Sequence, residues 1–188
     1  MKLIDNLLFK LKRPTTVDKI VVGMGNPGAE YENTRHNIGF KVLDELVKKY
    51  KITKEYHYLI RDRVLYIKPM VCINQTGETL KKALVELKID ASEAKILVLV
   101  DELLLPLGVA RLRKESQPSR HNGIRDMILH FTDDFERLRI GIGEKPKELK
   151  TIKFVLTEFT LDENNKLWDG IYAAKALAKD WADPSPWS

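Results

Sequence analysis

Residues 96–100 read Ile-Leu-Val-Leu-Val, an unbroken apolar run. A strand alternates its faces, so such a run leaves no face for water and must be covered on both sides. Strands of this kind lie inside sheets with helices packed above and below. Residues 19–22 (KIVV) form a shorter run, while 56–67, 109–113 and 137–142 add further strand patterns. The segment 56–67 reads as two strands turning at Arg61-Asp62, and 109–113 as a strand beside 96–100. Helical spacing groups Phe40, Leu43, Val47 and Tyr50, then Leu80, Leu84 and Leu87. It recurs at Ile124, Ile128 and Phe131, and at Trp168, Ile171, Ala174 and Leu177. Some strand connections are too short for a crossover helix, so the sheet must be mixed. The expected fold is α/β: a single domain with a central mixed β-sheet flanked by helices.

That domain is expected over residues 18–178, with an N-terminal extension over 1–17 and a C-terminal tail over 179–188. In the extension Ile4, Leu7, Leu8 and Leu11 fall at helical spacing until Pro14 stops the pattern. A short helix docked on the body is the plain reading; a membrane-surface contact or a targeting segment are the others. The segment lacks the Arg and Ser bias of a transit peptide, and no signal peptide is visible. At 44% hydrophobic and 31% charged, the chain can bury a core and stay soluble. No apolar run approaches bilayer length, so no membrane partner is expected. The net charge of +5 leans toward an acidic partner such as RNA. Cys72 is the single cysteine, which excludes an intrachain disulfide and suits a reducing, cytoplasmic setting.

Strand 19–22 runs into Gly23-Met24-Gly25-Asn26-Pro27-Gly28, formally the GxGxxG of dinucleotide sites. Three features argue against that use. Pro27 removes an N–H from a loop whose N–H groups should face phosphate. Helical periodicity starts only near residue 36. The acidic residues about 20 positions on, Asp44 and Glu45, fall inside a predicted helix and not at a strand end.

The segment VGMGNPGAEYENTRHNIGF (22–40) resembles the start of bacterial-type peptidyl-tRNA hydrolases. The resemblance continues through KPMVCINQTG (68–77), VDELLLPLG (100–108), RHNGIRDM (120–127), RLRIGIG (137–143) and FVLTEFTLDE (154–163). Several separate motifs in the expected order are far more specific than any one of them.

A lone histidine is more often structural than catalytic, and Asp101 could be a helix cap or a solvated loop residue. Asp101 does, however, follow the buried run, at a strand end where α/β proteins place ligand-contacting groups. A carboxylate accepting from one imidazole nitrogen fixes the tautomer and leaves the other to deprotonate water. The resemblance implies these roles for His36 and Asp101, with Asn26 beside them. It implies that Tyr31, Cys72, Ile73, Asn74 and Asn122 line the substrate cleft; asparagines in such places otherwise serve as turns or helix caps. Arg113 and Arg139 stand where the family carries basic residues facing tRNA phosphate, and would otherwise be a solvated strand face. The implied activity is hydrolysis of the ester between a peptide and the 3′-terminal ribose of tRNA, by a monomer, with peptidyl-tRNA as partner and no cofactor or metal. His57 and His130 match nothing functional.

The sequence also departs from the family. Glu115-Ser116-Gln117-Pro118-Ser119-Arg120 replaces a glycine-rich stretch and should fill and stiffen that loop. Cys72 stands for an aromatic, Ile73 for Met, Val100 for His and Leu104 for Asp. A second expectation is therefore a catalytically inactive RNA-binding protein on the same fold, as in splicing-factor relatives; the altered loop favours it, and the joint presence of His36, Asp101 and Asn26 favours the enzyme.

Overall fold

The computed structural model describes residues 15–114 and 120–183. The docked helix expected before Pro14 and the segment 115–119 lie outside them. The elements run β1 (Thr15–Thr16), β2 (Lys19–Gly23), α1 (Ile38–Leu46), β3 (Lys51–Ile52), β4 (Tyr56–Arg61) and β5 (Val64–Pro69). They continue with α2 (Thr76–Glu86), β6 (Ile89–Asp90), β7 (Lys95–Glu102), β8 (Ala110–Lys114), α3 (Asn122–Phe131) and β9 (Glu136–Gly141). Helices α4 (Thr151–Val155) and α5 (Asn164–Ala182) close the described chain.

Seven strands form one mixed sheet in the order β3-β4-β5-β2-β7-β9-β8. β2, β5, β7 and β9 are parallel neighbours, and β4 and β8 join them antiparallel. Successive side chains of the central strands enter opposite cores. Val21, Leu97, Leu99, Leu138 and Ile140 pack with residues of α1 and α5. Ile20, Val22, Leu65, Ile67, Val98 and Val100 pack with residues of α2 and α3. Each fully buried aliphatic side chain contributes about 1.5–3 kcal/mol, so the doubly covered strands hold the molecule together and the exposed edges β3 and β8 hang from them.

Several sequence expectations shift in detail. The hairpin turns at Asp62-Arg63, one residue later than expected; both have positive φ, 51° and 60°, the twist that a two-residue hairpin turn needs. Helix α1 stops at Leu46, with Val47 extended. β8 does not lie beside β7, because β9 is inserted between them. α5 continues past residue 178 to Ala182, which is buried. Thr15–Thr16 pair in parallel with Ile89–Asp90, and Val17 is buried.

The glycine-rich connection after β2 serves packing. The N–H of Met24 donates to Leu99 O at 3.1 Å, and the N–H of Phe40 to Met24 O at 3.1 Å, so α1 starts hard against two strand ends. A Cβ at Gly39 would lie 2.4 Å from Leu99 O and 2.6 Å from Met24 O. Gly28, at φ 115°, makes the turn into a 3₁₀ segment, Ala29–Tyr31. Among the described residues no helix is long and apolar enough to cross a membrane.

Candidate active site

The parallel strands aim their C-terminal ends at one edge of the sheet, and three segments meet there. Asp101 comes from the end of β7. His36 sits in a 3₁₀ turn, Arg35–Asn37, that leads into α1. His121 caps the N-terminus of α3. His36 Nδ1 and His121 Nε2 each lie 2.9 Å from the same carboxylate oxygen, Asp101 Oδ1. The two rings are tilted by 50°, with centroids 4.9 Å apart. The Asp101 side chain is only 3% exposed and that of His36 11%.

Electrostatics follow from this enclosure. Burial alone would push the Asp101 carboxyl up; the two imidazoles outweigh it and hold the group well below the usual carboxylate range. Burial opposes protonation of His36, but Asp101 outweighs it, so His36 titrates above its ordinary 6.5. Asp101 is therefore a fixed anion between two rings.

The two histidines are not equivalent. The N–H of Ile124 donates to His121 Nδ1 at 3.3 Å, which requires that nitrogen to carry a lone pair. His121 Nε2 must then hold the proton given to Asp101, and both its nitrogens are occupied. In His36 the Nδ1 proton goes to Asp101 and Nε2 keeps the lone pair. His36 can thus accept a proton without giving up a hydrogen bond, whereas His121 would have to release its helix cap. Sequence reasoning missed His121. Its signal was a position one residue before Asn122 at a predicted helix start, but histidine is not a usual capping residue.

Asn26 is held rigidly. Its N–H donates to Asn37 Oδ1 at 2.9 Å, and Asn37 Nδ2 donates back to Asn26 O at 2.8 Å. The side-chain Oδ1 of Asn26 accepts from the N–H of Ile73 at 2.9 Å. With that oxygen engaged, Nδ2 is the donor left for a ligand. Asn37, buried beside His36, is the second residue that sequence reasoning passed over.

The other expected residues divide into groups. Asn74, in the 3₁₀ turn Ile73–Gln75, and Asn122, first residue of α3, are exposed near this edge, as is Cys72. Tyr31 is half-buried at the end of its own 3₁₀ turn. Ile73 enters by its backbone; its side chain is buried in the core shared with α2 and α3. A Cβ at Gly123 would come within 2.8 Å of Ile73 O, so the turn carrying Asn74 rests directly on the start of α3. Val100 is core, and Leu104 is 83% exposed.

The two expected arginines differ from each other. Register places Arg111 opposite Arg139 and Arg113 opposite Arg137, all on one face. Arg113 is exposed. Arg139 is half-buried, and its Nε donates to Glu102 Oε2 at 2.6 Å, with Nη2 bonded to the same oxygen. Its fork is committed to a neighbouring carboxylate and not presented openly to a phosphate. Arg120 is exposed.

Among the described residues, His36, Asp101 and His121 are the one group of His, Cys and carboxylate side chains near enough to share a metal ion. Their facing atoms already meet at N–H···O distance, so an ion would have to displace both hydrogen bonds.

The family model described as Peptidyl-tRNA hydrolase matches residues 20–185. A peptidyl-tRNA hydrolase of Fervidobacterium nodosum is 40% identical over 148 residues, covering 77% of this chain and 78% of the relative. One of Bacillus cytotoxicus is 34% identical over 177 residues, covering 89% and 94%. The crystal structure of peptidyl-tRNA hydrolase from Acinetobacter baumannii superposes with a TM-score of 0.69 at 29% identity, covering 87% of this chain and 91% of that one.

Proposed function

Because the chain belongs to the peptidyl-tRNA hydrolase family, we propose that it is the hydrolase that cleaves the ester between a peptide and the 3′-terminal ribose of tRNA, with His36 as general base and Asp101 as its orienter. The observation that carries the mechanism is the contact from His36 Nδ1 to Asp101 Oδ1, which leaves Nε2 with its lone pair. In the proposed step Nε2 takes a proton from water as the water oxygen bonds to the ester carbonyl carbon. The tetrahedral oxyanion collapses, the bond to the ribose oxygen breaks, and that oxygen recovers the proton from the imidazolium. The products are tRNA with a free terminal ribose and a peptide carboxylic acid, which ionises to the carboxylate by releasing its proton to solvent.

Asn26 Nδ2 is suited to donate to the oxyanion, because its amide is held in advance by Asn37 and Ile73. Asn74 and Asn122 offer neutral amides to the peptide backbone, and Tyr31 and Cys72 complete the cleft wall. Arg113 takes tRNA phosphate directly, while Arg139 does so only by leaving Glu102. The binding-only alternative has no support in the relatives, which carry the hydrolase name. A monomer working in the cytoplasm is the state we expect. The deciding experiment is release of peptide from N-blocked aminoacyl-tRNA by the purified protein. No release above a His36→Ala control would sink the reading.

A further inference from the structure

Arg35 precedes the proposed base in the same 3₁₀ turn, and its side chain is only 7% exposed. Its guanidinium is held on every side. Nη1 donates to Ile142 O at 2.7 Å and to Glu163 Oε1 at 2.9 Å. Nη2 donates to Glu163 Oε2 at 2.6 Å, and Nε to Thr157 Oγ1 at 3.1 Å. The Phe154 and Phe159 rings lie 4.8 and 4.7 Å from its central carbon. The backbone joins in: the N–H of Arg35 donates to Thr157 O at 3.0 Å, and Thr34 makes a β-bridge with Glu158. Glu163 is itself fixed, accepting from the N–H of Thr160 at 2.8 Å.

We propose that Arg35 and Glu163 are positioning residues for His36, setting the pose of the turn Arg35–Asn37 through a seat built by residues 154–163. An ion pair taken out of water is a poor way to stabilise a fold, since desolvation offsets most of the attraction; here Arg35 is buried and Glu163 half-buried, and what the paired fork does well is fix a geometry. Only a planar fork can bind both carboxylate oxygens, a carbonyl and a hydroxyl while stacking on two rings, so lysine cannot take over the task. The same turn carries Asn37, which brackets Asn26. One seat thus sets the base and the proposed oxyanion donor together. The family-like segment 154–163 meets the site through this arginine.

The inference rests on the reading of His36 as base. The test compares Arg35→Lys, Glu163→Gln and the milder Thr157→Val with wild type, by steady-state kinetics on peptidyl-tRNA and by NMR titration of labelled histidine. A misplacement of about 1 Å costs roughly 10²-fold, so kcat should fall on that scale in Arg35→Lys and Glu163→Gln with KM unchanged. Thr157→Val should fall less. The His36 midpoint should move down in the first two, because its burial remains while the pull of Asp101 weakens. His121, the other imidazole facing it, is left unchanged in the sequence of all three variants. The proposal is overturned if kcat per folded molecule and the His36 midpoint both stay at wild type while only Tm drops. It is equally overturned if KM alone rises. Should Arg35→Lys fail to fold, Glu163→Gln and Thr157→Val decide. Activity retained in His36→Ala would remove the reading of the base, whereas the NMR midpoint would still report whether the seat holds the imidazole against Asp101.

Discussion

The site at the end of β7 and the arginine face of β8 and β9 are adjacent but built on opposite plans. At the site the polar groups that support the chemistry are held: Asp101 by two imidazoles, Asn26 by three hydrogen bonds, His121 by both of its nitrogens. On the arginine face Arg113 is exposed and Arg139 is bound to a carboxylate it would have to leave. Bond-breaking needs groups placed in advance, because a misplaced base or oxyanion donor loses rate steeply. Gripping a phosphate backbone needs only charge within reach, and charge acts over a Debye length. Rigidity is concentrated where the chemistry demands it.

The largest effect should come from removing the base. His36→Ala is expected to lower kcat by roughly 10²–10⁴-fold, the usual worth of general-base help, with near-normal tRNA binding and an intact fold by circular dichroism. A variant that keeps more than about a tenth of wild-type turnover would put the base elsewhere. Asp101→Asn comes next. An amide still accepts from both rings but loses the charge, so the loss should be on the order of tenfold or more smaller than for His36→Ala. A greater loss in Asp101→Asn would reverse the assigned roles.

The pH profile sharpens the same contrast. The base works deprotonated, and Asp101 raises its pKa, so the ascending limb of kcat/KM should have its midpoint above 6.5. In Asp101→Asn burial acts alone and the midpoint should drop below that value. For stability the signs are opposite. His36, raised on folding, stabilises below its unfolded value, and that contribution fades as pH rises through the folded one. Asp101, depressed on folding, stabilises above the ordinary carboxylate range and loses its contribution only in strong acid.

The smallest effects belong to the arginine face. Arg113→Ala should reduce the log–log salt slope of tRNA binding by roughly 0.7–0.9, as for one lost phosphate contact. Arg139→Ala should reduce it by less, because Glu102 already neutralises that cation. Glu102→Gln should loosen the hold on Arg139 and tighten binding. Equal slopes in Arg113→Ala and Arg139→Ala would mean that Arg139 abandons Glu102 on the RNA, and the contrast between the two regions would shrink.

What the sequence disclosed follows the same division. Periodicity located the buried strands and main helices, because burial on one or two faces writes directly into residue order. It could not show that β9 slips between β7 and β8, since that depends on how the chain crosses the sheet. The partnership of Arg139 with Glu102 likewise arises from the register of β9 on β7, and no local pattern announces it. His36 and Asp101 were legible through their motifs. His121 and Asn37 were not, because one acts as an unusual cap and the other through the backbone of Asn26.

The first described strand has a practical bearing. Thr15–Thr16 pair with Ile89–Asp90, ahead of the point where β2 starts, whereas the three converging segments meet where the parallel strands finish. β2 spans five residues, about 17 Å of rise. A fluorophore or surface tether introduced at Thr15 would sit near the opposite end of the parallel strands from the cleft, so the protein could be immobilised there for single-molecule recording with its mouth open to the tRNA.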